Sequence, residues 1–414
     1  MKGFWEKLEK VMMVIWVGLI PTQLGKHFWP EWSYVMGMKM DYLSPTLYIL
    51  DVVWLGWWIL NWKKERERRI GFKELIIGLF IGINIIFSAS RWLAVYRWLR
   101  GWQWWTTIAI WWERKEELKK IVLRVLPVWL ISETALAVGQ IVKGGSLEGF
   151  WWWLGERKFS FVTLGIAQMS VWGKGVIRAY GTFSHPNSLA GFLVVALMMW
   201  LNSRKLIRSK LWWWTVWWMG VVGIMVSGSR TVWMITLGLL LWSFMRIGKN
   251  KKEVVGMVMI IVGLFSIVMA GVGVNYRTSD FLGGWDRDSL SKRINLNLAA
   301  IRMVRSHPLF GVGAGNFLVN LPEMQKNNSY FWLQPVHNGV LLVLAELGIL
   351  GLIVAGLAAS EIGEKVRIKK SEWMILIVIG LTAMVDHYWV TLPQNSWLLA
   401  IVISWWQRKK ERIE

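Results

Sequence analysis

Long runs of apolar residues, separated by short polar segments, recur along the whole chain. A run of about 17–25 apolar residues can cross the hydrocarbon core of a bilayer as a helix, whose backbone hydrogen bonds are satisfied internally. The pattern therefore predicts an all-α integral membrane protein with about twelve transmembrane helices. The predicted spans lie near residues 10–25, 44–61, 74–90, 93–112, 121–142, 187–201, 211–227, 230–247, 253–274, 339–359, 372–389 and 395–407.

The polar segments between these runs alternate in charge, and every second one is basic. Basic residues are retained on the cytoplasmic side of membrane proteins, so the basic segments predict that both termini are cytoplasmic. The first apolar run lacks a small-residue cleavage site, and we expect it to remain as an uncleaved first helix. The basic segments are residues 63–69, 113–120, 203–210, 248–252, 364–370 and 407–412.

Two long segments, 143–186 and 275–338, fall on the opposite, extracytoplasmic side. Loops of this length in a compact protein are commonly functional. In the second segment, residues 291–308 predict a helix that Pro308 ends, with an apolar face that suits a helix lying on the outer membrane surface. The residues of that predicted face are Leu298, Ile301 and Val304.

The composition agrees with this pattern and excludes some kinds of chemistry. Apolar residues make up 55% of the 414 residues, and the mean hydropathy of +0.40 is too high for a soluble chain of this length. Because the chain has no cysteine, disulfides and thiolate catalysis are excluded. Basic cytoplasmic loops explain the net charge of +22, so we expect no nucleic acid partner.

Two arginines stand on the predicted outer side, where basic residues are disfavoured. Arg178 precedes "AYGTFSHPN", and Arg230 lies in the short turn "SGSRTVW" between two predicted spans. A single interfacial arginine commonly extends its side chain to a lipid phosphate. Together with Arg293, Arg302 and Arg305, the two arginines can instead form a pocket for phosphate or pyrophosphate, because guanidinium groups bind such oxygens in pairs. The spacing leaves both interpretations open.

Another candidate is His337, which with Asn338 stands where an outer loop enters the predicted span 339–359. Asn338 suits the N-cap of that helix, and capping by itself accounts for the pair. In the other interpretation, a near-neutral imidazole at the outer face takes a proton from a hydroxyl nucleophile. The spacing alone favours capping. His185 and His307 each precede a proline, and a helix boundary explains both.

Three carboxylates fall inside predicted spans, where an ionised group is costly unless it is paired. They are Asp51, Glu133 and Glu346, with Arg97, Arg100 and Arg124 as candidate partners. On the outer side no arrangement of Asp and Glu predicts a metal site. The glycines of "FGVGAGNF" (310–317) predict a tight turn or a close backbone approach, because the strand-then-helix setting of a nucleotide-binding loop is missing.

From residue 178 to about residue 389 the chain resembles the O-antigen ligase and O-antigen polymerase superfamily, because four motifs occur in the order typical of it. The motifs are "RAYGTFSHPNSLAGFL" (178–193), "SGSRTVW" (227–233), "RSHPLFGVGAGNF" (305–317) and "HNGVLLVLAELGILGL" (337–352). The resemblance implies a glycosyltransferase of the GT-C type, with helices around an outer-face cavity. We accordingly divide the chain into N-terminal helices with the first external loop (1–177), a ligase-like core (178–389), and a final helix with a basic tail (390–414).

The resemblance also implies a reaction at the outer face of the cytoplasmic membrane. Such ligases move a glycan from undecaprenyl pyrophosphate to a hydroxyl of a glycan or lipid acceptor, with inversion and without a metal or other cofactor. The partners expected are therefore the lipid-linked donor, the acceptor and membrane lipids. The implied site residues are His337 as general base, Arg178, Arg230 and Arg293 for the pyrophosphate, and Asn187 and Asn338 in support.

Related activities share these motifs. A polymerase joins O-antigen or exopolysaccharide repeat units, and a protein O-oligosaccharyltransferase uses a protein acceptor. A polysaccharide transporter or flippase is an alternative of another class, because about twelve helices suit one. Transporters tend to carry internal repeats and helices broken at mid-membrane. No convincing repeat occurs here and the unusual residues cluster outside, which favours an enzyme.

Overall fold

Helices make up most of the part of the chain that the computed structural model describes, as the apolar runs predicted. That part comprises residues 2–65, 71–171, 174–247, 263, 285–325, 332–364, 366–367, 370–405 and 407–408. The helices are α1 (Lys2–Gly18), α2 (Ile49–Glu65), α3 (Phe72–Ile86), α4 (Arg91–Glu113), α5 (Lys115–Lys143), α6 (Phe150–Trp153), α7 (Pro186–Asn202), α8 (Lys210–Val226), α9 (Arg230–Ile247), α10 (Trp285–Ser306), α11 (Phe317–Met324), α12 (Gly339–Glu364), α13 (Lys370–Ala383), α14 (Tyr388–Thr391) and α15 (Pro393–Ser404).

Pairs of short antiparallel strands connect some of these helices, and the prediction of an all-α chain did not include them. Each strand is two to four residues long, too short for alternation of apolar and polar positions to reveal it in the sequence. The pairs are β1 (Gly25–His27) with β4 (Thr46–Tyr48), β2 (Tyr34–Val35) with β3 (Met38–Lys39), β5 (Gln168–Val171) with β6 (Lys174–Ile177), and β7 (Val366–Arg367) with β8 (Gln407–Arg408).

The helices follow the predicted spans with shifted ends, and the predicted span 253–274 lies, except for residue 263, outside the described residues. Within the described ranges, the helices Lys115–Lys143 and Gly339–Ser360 are long and apolar enough to cross a membrane. Shorter apolar helices are Ile49–Asn61, Pro186–Asn202 and Glu372–Ala383. The helical architecture fits an all-α membrane protein. The number of twelve spans and the cytoplasmic position of both termini remain predictions.

Helix α7 lies at the centre of the core, and every residue from Ser188 to Trp200 is buried. A helix that is apolar on all sides is stable only where neighbours cover each face. Helices α5, α8, α13 and α15 pack around it. The approach of α8 depends on Gly223, where a Cβ would lie 2.8 Å from a methyl carbon of Leu193. Because α7 begins at Pro186, this packing fixes the position of the loop just before it.

The largest apolar cluster draws on all three parts into which we divided the sequence. Trp16 comes from the N-terminal part, Leu193 from the ligase-like core and Trp397 from the final helix. Trp16 and Trp397 meet edge to face, with 4.9 Å between their ring centres, a favourable arrangement for aromatic pairs. The three parts therefore pack against one another, and their division stays a prediction.

The glycine-rich loop "FGVGAGNF" packs into α12 where that helix is broken at Gly348. Gly348 has φ +66° and ψ −171°, a conformation open essentially to glycine alone. The N–H of Ile349 donates to the carbonyl of Pro308 (2.9 Å) instead of bonding within the helix. A Cβ at Gly311 would collide with the backbone of Glu346, which confirms the predicted close backbone approach. Broken helices are common in transporters, but here the loop satisfies the freed N–H.

Helix α10 ends at Ser306, so the predicted stop at Pro308 is confirmed. Leu298, on the face predicted to lie on the membrane surface, is 45% exposed, and the contact of that face with a membrane stays a prediction. The small residues of the buried face let the helix approach α12 closely. The fully buried residues of α10 are Leu296, Ala299, Ala300 and Met303.

Two of the carboxylates predicted inside spans have an arginine nearby, as expected. Asp51 pairs with Arg100. Glu346 accepts a hydrogen bond from the hydroxyl of Tyr42 (2.8 Å), and the guanidinium of Arg97 lies 4.5 Å from the centre of the Tyr42 ring. These contacts offset the cost of burying charged groups and connect α2 with α4, and α12 with the loop that contains Tyr42.

Candidate functional site

The loop that follows β6 is held against α5 by buried polar side chains. Glu133 accepts hydrogen bonds from the backbone N–H (2.9 Å) and the hydroxyl (2.8 Å) of Thr182. Gln140 accepts from the N–H groups of Tyr180 (3.0 Å) and Gly181 (2.9 Å). Glu133, the third carboxylate predicted inside a span, therefore bonds to this loop, and its bonds offset the cost of its burial. Its role is to position the loop.

Arg178 stands at the end of β6, where this loop begins. Its Nη2 donates to Oδ1 of Asn187 (2.7 Å), and its Nε donates to the carbonyl oxygen of Ser227 (3.0 Å). The second bond crosses to the short turn between α8 and α9. Gly228 in that turn has φ +66°, and a Cβ there would lie 3.1 Å from Nε of Arg178. A glycine is therefore needed for the turn to approach the arginine.

Two further candidate arginines lie near Arg178. Arg230 is the first residue of α9 and is exposed, and Arg293 lies on α10 and is partly buried. Burial lowers the pKa of Arg178 to about 10, and the charges of Arg230 and Arg293 also lower it. Arg178 remains a cation at neutral pH, and a bound anion would relieve the repulsion among the three. Arg302 instead donates to the carbonyl of Met324 (2.6 Å).

Asn187 links Arg178 to a buried carboxylate that the sequence analysis did not select. Nδ2 of Asn187 donates to Oδ2 of Asp386 (2.9 Å), while its Oδ1 accepts from Arg178. Oδ1 of Asp386 accepts from the backbone N–H of His387 (2.8 Å). Burial alone would raise the pKa of Asp386, but its contacts with His337 and His387 hold that pKa below its ordinary value. Asp386 is therefore ionised at neutral pH.

His337 approaches the same carboxylate from the loop before α12. Its Nδ1 lies 3.7 Å from Oδ1 of Asp386, which is within ion-pair range but beyond a direct hydrogen bond. That Nδ1 atom is buried and has no hydrogen-bond partner among the residues described. Asn338 caps α12, because its Oδ1 accepts from the N–H of Leu341 (3.0 Å). The capping interpretation is thus right for Asn338, and it leaves the His337 side chain for another role.

Two more histidines lie beside this carboxylate. His185 caps α7, and its Nδ1 accepts from the N–H of Asn187 (3.1 Å), which confirms the expected helix boundary. Nε2 of His387 lies 3.9 Å from Oδ1 of Asp386, and its Nδ1 lies 2.8 Å from Oγ1 of Thr391. Burial lowers the pKa of His185 to about 3 and that of His387 to about 4. Both imidazoles are therefore neutral at pH 7.

Asp386 and His387 are functional candidates that the sequence analysis missed. They stand in "DHYWVTLPQNS" (386–396), at the end of the predicted span 372–389. The helix ends earlier, at Ala383, so both residues lie in a turn beyond it. A signal was present, because an Asp–His pair directly after a long apolar run is costly in a membrane and commonly marks function.

A cavity of about 870 Å³ lies next to this group of residues, and His387 forms part of its wall. Ligand sites of this size are usually lined by aromatic side chains with a few polar groups that fix orientation. The cavity has that character. Its aromatic lining includes Tyr42, Tyr48, Tyr96, Trp98, Trp104, Trp152 and Trp389, and its basic lining includes Arg97, Arg100, Arg157 and Lys158.

His337, Asp386 and His387 also form a set of possible metal ligands. One ligand atom from each residue lies within 4.8 Å of the other two. The sequence analysis sought a metal site among Asp and Glu on the outer side and found none. This group contains one carboxylate and two imidazoles, brought together from two parts of the chain by the fold.

The sequence matches one family model, that of the O-Antigen ligase, over residues 214–356. None of the curated proteins compared matches the chain. The matched region includes Arg230, Arg293 and His337, but Arg178 precedes it and Asp386 follows it.

Proposed function

Because residues 214–356 form a domain of the O-antigen ligase superfamily, we propose that this protein is a lipid-linked glycan transferase. Its donor is a glycan on undecaprenyl pyrophosphate, and its acceptor is a hydroxyl group at the outer face of the cytoplasmic membrane. The reaction inverts the anomeric configuration, needs no metal, and takes place on the extracytoplasmic side of a multi-pass protein.

The observation that carries this proposal is the bond network through Asn187. Asn187 accepts from Arg178 and donates to Asp386, whose other oxygen lies 3.7 Å from His337. A cation suited to pyrophosphate and an imidazole suited to proton transfer are therefore held at opposite ends of one connected group. A displacement on a lipid-linked sugar needs both groups within reach of the same anomeric centre.

In the proposed reaction His337 is the general base, and Asp386 is a positioning residue. An Nδ1–H directed at Asp386 leaves Nε2 of His337 to accept the proton of the acceptor hydroxyl. The hydroxyl oxygen forms a bond to the anomeric carbon, while the bond from that carbon to the pyrophosphate oxygen breaks. The departing pyrophosphate takes the electron pair. Arg178, Arg230 and Arg293 stabilise its negative charge.

The cavity beside His387 is the proposed position of the acceptor. Aromatic rings present apolar faces to sugar rings, and the interspersed polar groups fix the orientation of hydroxyls. His387 lines the cavity, and its ring centre lies 5.7 Å from that of His337. An acceptor hydroxyl entering from this side therefore meets His337, while the donor pyrophosphate lies towards Arg178.

The same chemistry serves a polymerase or a protein O-oligosaccharyltransferase, which differ from a ligase only in the acceptor. Incubation of the purified protein with a synthetic lipid-linked glycan and candidate acceptors, followed by mass spectrometry, identifies the product. Transfer to a lipid acceptor supports a ligase, and a donor with a doubled glycan supports a polymerase. Movement of the donor between leaflets of a vesicle without transfer would contradict the proposal and support a flippase.

The proposed roles are separable by three variants. We expect His337→Ala to fold and bind donor but to lose transfer, because it retains the arginines and lacks the base. We expect Arg178→Ala and Arg230→Ala to weaken binding of undecaprenyl pyrophosphate at least tenfold, and to affect acceptor binding less.

Matched controls are His307→Ala and Arg208→Ala, which remove an exposed histidine and an exposed arginine. Transfer by His337→Ala at the wild-type rate would remove that residue from the mechanism. Unchanged affinity for undecaprenyl pyrophosphate in both arginine variants would contradict the proposed donor site.

A further inference from the structure

Three electron-pair donors from different side chains converge beside the proposed site. Oδ1 of Asp386 lies 3.7 Å from Nδ1 of His337 and 3.9 Å from Nε2 of His387. One ligand atom from each of the three residues lies within 4.8 Å of the other two. Both distances exceed those of direct hydrogen bonds. In a tetrahedral zinc site with bonds of about 2.0–2.1 Å, ligand atoms lie about 3.4 Å apart. To form such a site, the two distances to Oδ1 must shorten by about 0.3 and about 0.5 Å, and the two imidazoles must approach each other by up to about 1.4 Å.

Neighbouring residues orient two of these three ligands, His387 and Asp386, as the outer shell of a metal site does. The Thr391 hydroxyl donates to the carbonyl oxygen of His387 (3.2 Å), so its oxygen can accept from Nδ1–H of the same ring (2.8 Å). In that tautomer the lone pair of Nε2 of His387 faces Asp386. Asn187 fixes the carboxylate by donating to its other oxygen (2.9 Å). Hydrogen bonds of this kind set the tautomer and direction of metal ligands.

We propose that Nδ1 of His337, Oδ1 of Asp386 and Nε2 of His387 bind one divalent transition-metal ion of the zinc type. Two imidazoles and one carboxylate suit Zn²⁺, Co²⁺ and Ni²⁺, whereas Mg²⁺ and Ca²⁺ prefer sites made of oxygen atoms. Three protein ligands leave a fourth position for water.

The ion inhibits glycan transfer, and this second statement rests on the proposed role of His337 as base. A neutral imidazole that binds the ion through Nδ1 carries its proton on Nε2, so Nε2 has no free lone pair and His337 can no longer take the proton of the acceptor. Because Asp386 binds the ion, its negative charge no longer stabilises a proton on His337. The positive charge of the ion faces that of Arg178 on the other side of Asn187. This repulsion weakens binding of the ion, although Arg178 displaces none of its three ligands.

Metal binding is tested on the purified full-length protein after treatment with a chelator. Equilibrium dialysis against ZnCl₂, with the bound metal measured by mass spectrometry, is expected to give one Zn²⁺ per chain. Addition of CoCl₂ is expected to give the visible absorption bands of four-coordinate Co²⁺, and MgCl₂ is expected not to compete.

Two variants locate the ion, and a third serves as control. We expect His387→Ala to weaken Zn²⁺ binding at least a hundredfold, and Thr391→Val, which keeps all three ligands, to weaken it about tenfold. His307→Ala removes an exposed histidine and is expected to bind Zn²⁺ as the wild type does. Wild-type affinity in His387→Ala, or no stoichiometric binding to the wild type, would overturn the metal site.

A separate assay tests inhibition and keeps the two statements distinguishable. We expect micromolar ZnCl₂ to suppress transfer by the wild type and a chelator to restore it. One bound Zn²⁺ with undiminished transfer would overturn the inhibition while the site stands. If the protein transfers no glycan under any condition, the proposed function fails, and the dialysis and Co²⁺ spectra still decide the metal site.

Discussion

Replacing Asp386 with asparagine removes one negative charge from the candidate site with little change in shape. The asparagine oxygen can still accept from the backbone N–H of His387, as Oδ1 of the carboxylate does (2.8 Å). Its amide nitrogen then faces Nδ2 of Asn187, so that one hydrogen bond is lost. We expect the loss to lower the free energy of unfolding by about 1–3 kcal/mol and to leave the protein folded.

The effect on catalysis follows from the distance between the charges. A carboxylate 3.7 Å from the imidazole stabilises the imidazolium that forms during transfer. At an effective dielectric constant of about 20 this attraction is about 4 kcal/mol. Because the His337 side chain is 19% exposed, solvent reduces it to about 2–4 kcal/mol. We therefore expect kcat to fall roughly 30- to 1,000-fold in Asp386→Asn.

The assay is the initial rate of glycan transfer from a synthetic lipid-linked donor, measured from pH 5 to pH 9. Without the carboxylate the imidazolium that forms during transfer is less stabilised, so kcat should fall. Donor affinity should change less than kcat, because Arg178 keeps its bonds to Asn187 and Ser227.

The control variant Glu116→Gln removes an exposed carboxylate far along the sequence from the site. It is expected to transfer at the wild-type rate. A kcat for Asp386→Asn within threefold of the wild type would refute the role given to Asp386.

Three further predictions concern stability, each measured as unfolding in detergent. Glu133→Ala removes the acceptor of two donors in the loop that follows β6 and should lower the free energy of unfolding by about 1–3 kcal/mol; equal stability would contradict that role. Gly348→Ala should cost more than about 2 kcal/mol because φ is +66° there, whereas Gly356→Ala, in open space within the same helix, should be neutral or stabilising. The pKa values of His185 (about 3) and His387 (about 4) lie below the ordinary value of 6.5, so the unfolded chain takes up protons that the folded chain cannot. Stability should therefore fall as the pH drops from about 6.5 towards 4, and a flat profile would contradict neutral burial of both rings.

The sequence determined the helical class and the main candidates because both depend on local signals. A long run of apolar residues indicates a helix, whatever that helix packs against. Arg178 and Arg230 were candidates because they are basic residues on the predicted outer side, where basic residues are disfavoured. His337 was a candidate because it stands at a helix boundary, at the start of a motif of the family. The sequence did not predict the short strands or the break at Gly348, because neither produces a repeating pattern of apolar and polar residues long enough to detect.

Only the tertiary structure decided which of these residues share a site. Asn187 and Asp386 are 199 positions apart, and no local pattern relates them. They meet because α7, buried on nearly all sides, carries Asn187 to the turn that follows α13. The same packing adds His387 and brings His337 to the shared carboxylate. Burial by distant segments, which a sequence does not show, then sets the charge of each group and the chemistry available to it.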